Sequence, residues 1–256
     1  MLPQRFDGML KPDYIIPFKK TKDEAVAALK KFYEGKKLLP AVFTANNRVQ
    51  DIQALYVPFW LFDAQVQAQV QYDATKKSSY SDANDTVTET NHYDVLREGN
   101  LDFSRIPVDG SKRMDDSYMD SIEPFDYNEL VQFSPAYLTV YLADKYDVEA
   151  KECETRANVR VNASTLAAFA KTLQGYDSST AVSSIINKAG GEVKYVLMPV
   201  WILSTKFDGQ VYTFMMNGQT GKFVGSLPVD KGKANQYMWM ASGATLVVRA
   251  LAVKIN

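Results

Sequence analysis

Tyr56-Val57-Pro58-Phe59-Trp60-Leu61-Phe62 and Leu197-Met198-Pro199-Val200-Trp201-Ile202-Leu203 are two versions of one phrase, an apolar run with proline two residues ahead of tryptophan. A second pair follows in the same order, Ile106-Pro107-Val108-Asp109 and Leu227-Pro228-Val229-Asp230. Matched landmarks in one order predict internal duplication. The fold class expected is α+β, with two duplicated halves, each a helix followed by a mainly antiparallel β-sheet.

Upstream of the first phrase, Thr21-Lys22-Asp23-Glu24 has the capping-box spacing, and Val26, Leu29, Phe32 and Tyr33 recur at helical period before Gly35. This predicts a helix over about 22–34. Downstream, Ala64, Val66, Ala68, Val70 and Tyr72 alternate with Asp63, Gln65, Gln67, Gln69 and Gln71, the pattern of a long strand with one wet face. Residues 76–91 are a polar run with few large apolar side chains, expected to form a hairpin tip or mobile loop. The second half predicts a longer helix from about 147 to 173, strands at 178–187 and 192–206, then turns at Asp208-Gly209 and Asn217-Gly218 separating two more strands.

The domain reading is a first half at 9–114 carrying the polar insertion 76–91, and an acidic connecting segment at 115–126. A second half follows at 127–233, and an apolar tail at 234–256. The tail holds Tyr237 to Val248 without a charge, then Arg249, so it is expected to be a packed amphipathic helix or a truncated anchor.

Charge is nearly balanced, with 29 Lys and Arg against 30 Asp and Glu, which supplies no broad basic field and argues against nucleic-acid binding. Cys153 is the single cysteine, so an internal disulfide framework and a cysteine zinc site are excluded for this chain. Met1 to Gly8 has neither the positive start nor the apolar core of a signal peptide.

Candidate chemistry is sparse. His92 is the single histidine and has no Gly-x-Ser-x-Gly partner motif, so it reads as an exposed strand or loop residue. Cys153 lies between Glu152 and Glu154, which disfavour the thiolate. The acids Asp115, Asp116, Asp120, Glu123, Asp126 and Glu129 lack the spacing of a calcium loop and read as a solvated linker. Gly218-Gln219-Thr220-Gly221-Lys222 lacks the full phosphate-loop spacing and precedes a strand. Trp60 and Trp201 read as core, with an alternative use together with Tyr56 and Tyr212 as a ligand or partner groove.

Several longer phrases resemble the bacterial family of TFIIB-type zinc-ribbon-containing membrane proteins. They include Lys11-Pro12-Asp13-Tyr14-Ile15-Ile16-Pro17-Phe18-Lys19, Tyr141-Leu142-Ala143-Asp144-Lys145-Tyr146-Asp147 and Met216-Asn217-Gly218-Gln219-Thr220-Gly221-Lys222-Phe223, beside the Pro-x-Trp phrase at Tyr56 to Asp63. The second half, with Pro199-x-Trp201, Asp208-Gly209 and Tyr212-Thr213-Phe214, also resembles a PepSY/cystatin-like unit.

The resemblance implies a four-cysteine ribbon ahead of this domain and a membrane anchor after it, with zinc held only in the ribbon and no cofactor in this chain. It implies a non-enzymatic interaction or scaffold domain at the cytoplasmic membrane face, recruiting SPFH-type or phage-shock-type membrane-stress proteins, with membrane contact through the tail. The alternative is a ligand- or peptide-binding sensory module with its groove near Trp60 or Trp201.

Overall fold

The computed structural model describes residues 10–41, 43, 51–81 and 85–239. A capping box starts helix α1 (Lys22–Tyr33): the Thr21 hydroxyl accepts from the Glu24 amide at 3.3 Å, and the Glu24 carboxylate accepts from the Thr21 amide at 2.8 Å. Ala25 and Leu29 form its buried stripe. Three long strands carry most of the sheet, β2 (Asp51–Ser81), β3 (Thr86–Asp109) and β6 (Ser178–Phe207). Shorter ones are β1 (Tyr14–Ile15), β4 (Val131–Gln132), β5 (Leu142–Ala143), β7 (Gln210–Asn217) and β8 (Phe223–Gly225). Helices α2 (Asp116–Ser121) and α3 (Ala150–Ala170) separate the first strands from the last.

All eight strands belong to one mixed sheet in which β2 lies between β3 and β6. This overturns the expectation of two duplicated halves, each a helix with its own mainly antiparallel sheet. β2 and β6 are hydrogen-bonded to each other along 24 residue pairs' worth of register from Asp51–Ser204 to Thr75–Ser178, so no seam divides two sheets. β1 and β5 join in parallel. Each helix also packs beyond its local strands: α1 meets Trp201, Leu203 and Phe214 of β6 and β7, whereas α3 meets Val66, Val70 and Val95 of β2 and β3.

What recurs is a set of contacts about the paired residues Val57 and Met198. On the outer side of β2, the partner changes from β5 at Leu55 and Tyr56 to β3 at Phe59. On the outer side of β6, it changes from β1 at Val196 and Leu197 to β7 at Val200. Pro58 and Pro199 stand at those two changes. Proline has no N–H to donate, so it is tolerated in a central strand where the ladder has a gap. Their carbonyls accept from the amides of Gly110 and Gly218, each at 2.8 Å. The carbonyl of Gly110 in turn accepts from Asp147 and Val148, and that of Gly218 from Lys19 and Lys20. A Cβ on Gly218 would lie 2.6 Å from the Phe18 ring, which explains glycine there.

These contacts reassign the second repeated phrase. Trp60 pairs with Val108 and Trp201 with Met216, so Asp109-Gly110 corresponds to Asn217-Gly218, and the likeness to Leu227-Pro228-Val229-Asp230 has no counterpart in the register. Of the two expectations for the run 76–91, the hairpin tip holds and the mobile loop does not. Lys76 to Ser81 pair with Thr86 to Asn91 in one continuous ladder, residues 82–84 lying outside the described set. The segment 115–126 is not a solvated linker either, since Met119, Ile122 and Phe125 enter the core beneath Val57, Phe59 and Met198. Of the tail at 234–256, residues 240–256 lie outside the described set, and Trp239 is 77% exposed.

Candidate functional site

The four residues expected to line a groove are mostly structural. Tyr56 is fully buried, and Trp60 and Trp201 are 5% and 6% exposed. Each indole N–H donates to the carbonyl of the residue preceding a helix N-cap: Trp60 to Val148 at 2.9 Å and Trp201 to Lys20 at 2.8 Å. The tryptophans thus fix where α3 and α1 begin. Tyr212 is half-buried against Phe43, and its hydroxyl donates to Gln210 at 3.1 Å. Among the other candidates, His92 is solvent-facing on β3, 3.8 Å from an Asp73 oxygen.

Three features break the correspondence about Val57 and Met198, and all involve β2, β3 or α3. The first is a buried charge. At the position of Asn217, whose amide is satisfied by the carbonyls of Ile122 and Pro124 and by the amides of Gln219 and Thr220, the other side carries Asp109. Its side chain is 1% exposed; Oδ1 accepts from Arg156 Nη1 at 2.9 Å, while Oδ2 has no hydrogen-bond partner among the described residues. Burial pushes its pKa above the ordinary carboxylate range, against the pull of Arg156.

Arg156 and Arg160, one helical turn apart, face Asp116 and Asp120, also one turn apart, and Glu123. Glu123 is likewise raised by burial, with Arg160 opposing. That paired i, i+4 spacing on two helices is a sequence signal that could have revealed this seam, which the solvated-linker reading missed. Cys153 sits beside it, its Sγ 3.6 Å from the Asp109 carbonyl. Burial first, and the Asp109 charge second, push the thiol to about 11. Asp109, Lys112, Asp116, Glu152 and Arg156 border an open hollow of about 700 Å³.

The second feature is a cleft of about 450 Å³ between α3 and the irregularity where Asp63 opposes Gly191 and Glu192 of β6. Phe62, Ala64, Ile106, Ala157 and Val161 supply apolar walls, with Lys151, Glu154 and Lys188 among its polar lining. The corresponding place under α1 is filled. There Leu29 and Tyr33 stand where α3 has Ala157 and Val161, and Phe214 stands where β3 has Ile106, all in one packed cluster with Phe43. The cleft therefore follows from smaller side chains on a shared framework.

The third feature is an arm. Past Phe62, residues 64–81 of β2, 86–103 of β3 and 178–190 of β6 continue beyond the core, about 18 residues or roughly 60 Å along β2 at ~3.3 Å per residue. α3 covers one face through Val161, Phe169 and Leu173 on Val66, Val70 and Tyr72. The other face is open and polar: Gln65, Gln67 and Gln71 are exposed, beside Asn100 and Asp102 on β3 and Asn187 on β6. Beyond Thr75 only β2 and β3 remain, exposed on both faces.

No described helix is long and apolar enough to cross a membrane. No group of three or more His, Cys, Asp or Glu side chains arranged to hold a metal ion occurs among the described residues. The chain is 36% identical over 257 aligned positions to the uncharacterized protein YdjG of Bacillus subtilis (strain 168), an alignment covering all of this chain and 75% of that relative. No family model and no solved structure matches the chain.

Proposed function

This chain belongs to the family of the uncharacterized protein YdjG of Bacillus subtilis, and we propose that it serves as a non-enzymatic interaction domain that presents its arm to partner proteins. The observation that carries this reading is the arm itself. A sheet extended by roughly 60 Å along β2, covered by α3 on one face only as far as Thr75 and bare on both faces beyond it, maintains far more exposed hydrogen-bonding strand than a compact core requires. Binding modules that add strands or dock on sheets use such surfaces.

The resemblance to zinc-ribbon membrane proteins supports partners of the SPFH or phage-shock type, a position at the cytoplasmic membrane face, and zinc confined to a ribbon outside this chain. The test is co-purification with co-expressed SPFH-type and membrane-stress proteins of the native host. Retention by the intact chain and loss when residues 77–90 are replaced by a short turn is the expected outcome. Equal retention without residues 77–90, the tip of the arm, or none by the intact chain, refutes the reading.

A second reading is ligand binding, and the cleft under α3 favours it over a groove at the tryptophans. Ala157→Leu, which copies the matched Leu29, fills that cleft. If the cleft is a binding site, uptake of an apolar fluorescent probe by the parent disappears in this variant while the fold is retained.

A further inference from the structure

We propose that the free edge of β6, from Ser178 to Asn187, pairs with the same edge of a second copy of this chain, in antiparallel register, joining two three-stranded arms into one six-stranded sheet. Among the described residues, this stretch is hydrogen-bonded to a strand on one side only: β1 meets β6 at Val196 and Leu197, and β7 meets it from Val200 onward. Its other side is a row of backbone donors and acceptors, and its side chains are exposed apart from the partly covered Ile186.

The two long edges of the arm differ in protection. The β3 edge carries Glu89, Asp94, Arg97, Glu98 and Asp102, the kind of charge that discourages edge pairing. Ser178-Ser179-Thr180-Ala181-Val182-Ser183-Ser184-Ile185-Ile186-Asn187 has no charge and no proline, and four of its ten residues are β-branched Thr, Val or Ile. Val182 and Ile185 are 58% and 59% exposed.

The ends of the stretch select the occupant. Asp177 precedes it and Lys188 follows it. An antiparallel pair of identical strands places residue i of one copy opposite a residue of equal distance from the midpoint on the other. Centred between Val182 and Ser183, this register sets Asp177 against Lys188 of the second copy, twice, with Ile185 opposite Thr180. Like charges meet nowhere along it. The irregularity at Val182, which sits between the pairs Gln71–Ser183 and Tyr72–Ala181, falls at the midpoint, so each half of the strand pairs regularly. Asp177 accepts from the Lys77 amide through one carboxylate oxygen and keeps the other, and Lys188 donates one of its three hydrogens to Asn162. About ten backbone hydrogen bonds would form across ten residues.

The test is sedimentation equilibrium of the chain across a wide micromolar range, with charge reversals. The parent is expected to double its 28.7 kDa mass with rising concentration. Asp177→Lys and Lys188→Asp each create like-charge pairs on both sides of the two-fold, and each should raise the dimer dissociation constant roughly tenfold. The combined Asp177→Lys/Lys188→Asp variant restores opposite pairs and should return near the parent value. Circular dichroism separates loss of pairing from loss of fold, and Lys188→Asp alone carries the test if Asp177→Lys unfolds. A parent that stays monomeric overturns the proposal. So does a dimer indifferent to Lys188→Asp, which would place its interface elsewhere.

Discussion

Replacing Arg156 with methionine leaves the buried carboxylate of Asp109 without its ion-pair partner, and also releases the exposed Asp116 and Asp120, whose surface pairs contribute little. Methionine keeps most of the apolar stem and removes the guanidinium that meets Oδ1 at 2.9 Å. With Oδ2 already unpartnered and the side chain 1% exposed, the variant holds an uncompensated buried charge, a change worth about 3–5 kcal/mol. The carboxyl can escape by taking a proton, and that escape sets a ceiling. From an ordinary value of 3.8, protonation at pH 7 costs about 4 kcal/mol at ~1.4 kcal/mol per unit, but only about 1.6 kcal/mol at pH 5. A carboxyl whose pKa is raised in the folded state has stability that is complete below the unfolded value and falls as pH rises through the folded one. The deficit of Arg156→Met against the parent should therefore be about 3–4 kcal/mol at pH 7 and shrink by roughly 2 kcal/mol at pH 5. Adding Asp109→Asn, the residue type found at the matched Asn217, should recover at least half of the loss at neutral pH. Urea unfolding followed by tryptophan fluorescence at both pH values measures all three chains. A pH 7 deficit under about 1 kcal/mol, or one that does not shrink on acidification, refutes the assignment of Asp109 as a charge held in place by Arg156.

The Cys153 thiol, pushed to about 11 inside the α3 packing, should be unreactive toward a disulfide reagent at pH 8 in the native chain and fully reactive in urea, read by the chromophore released. Trp60→Phe and Trp201→Phe each strand a helix-start carbonyl and should each lower stability by about 1–2 kcal/mol in thermal unfolding, the similarity of the two losses being the point. Gly191→Ala places a Cβ 2.8 Å from the Asp63 backbone and should cost about 1–3 kcal/mol, whereas Gly190→Ala, with open space around it, should cost little.

Local signals in the chain were reliable where the cause is local. The capping box at Thr21, the alternation from Ala64 to Tyr72 and the turn at Asp208-Gly209 each depend on residues within a few positions, and each element stands where those residues put it. Residues 76–91 form the hairpin tip without the alternation that marks a strand with one buried face. Here the ladder closes on itself, through pairs such as Ser79 with Thr88, and needs no apolar face. The joining of everything into one sheet was hidden for a different reason. Which strand lies beside β2 is decided by side chains more than a hundred positions away, and a repeated phrase is equally compatible with two sheets or with one. The acids of 115–126 were judged without Arg156 and Arg160, their partners on another helix.

The Pro-x-Trp phrase can now be given a physical task at both occurrences. Proline marks the gap where a central strand changes its outer neighbour, and tryptophan, two residues later, ties that gap to the start of a helix. Because the same task is done at Pro58 and Pro199, the framework itself cannot distinguish one side of the molecule from the other. What distinguishes them is the exchange of Asn217 for Asp109, of Leu29 and Tyr33 for Ala157 and Val161, and of the short β6–β7 hairpin for the long arm. Each of these exchanges costs stability on its own terms: a buried carboxylate, an unfilled cleft and an exposed ladder. Costs gathered on one side of a framework that tolerates their absence on the other are the ground on which we propose that function lies there, at β2, β3, α3 and the edge of β6.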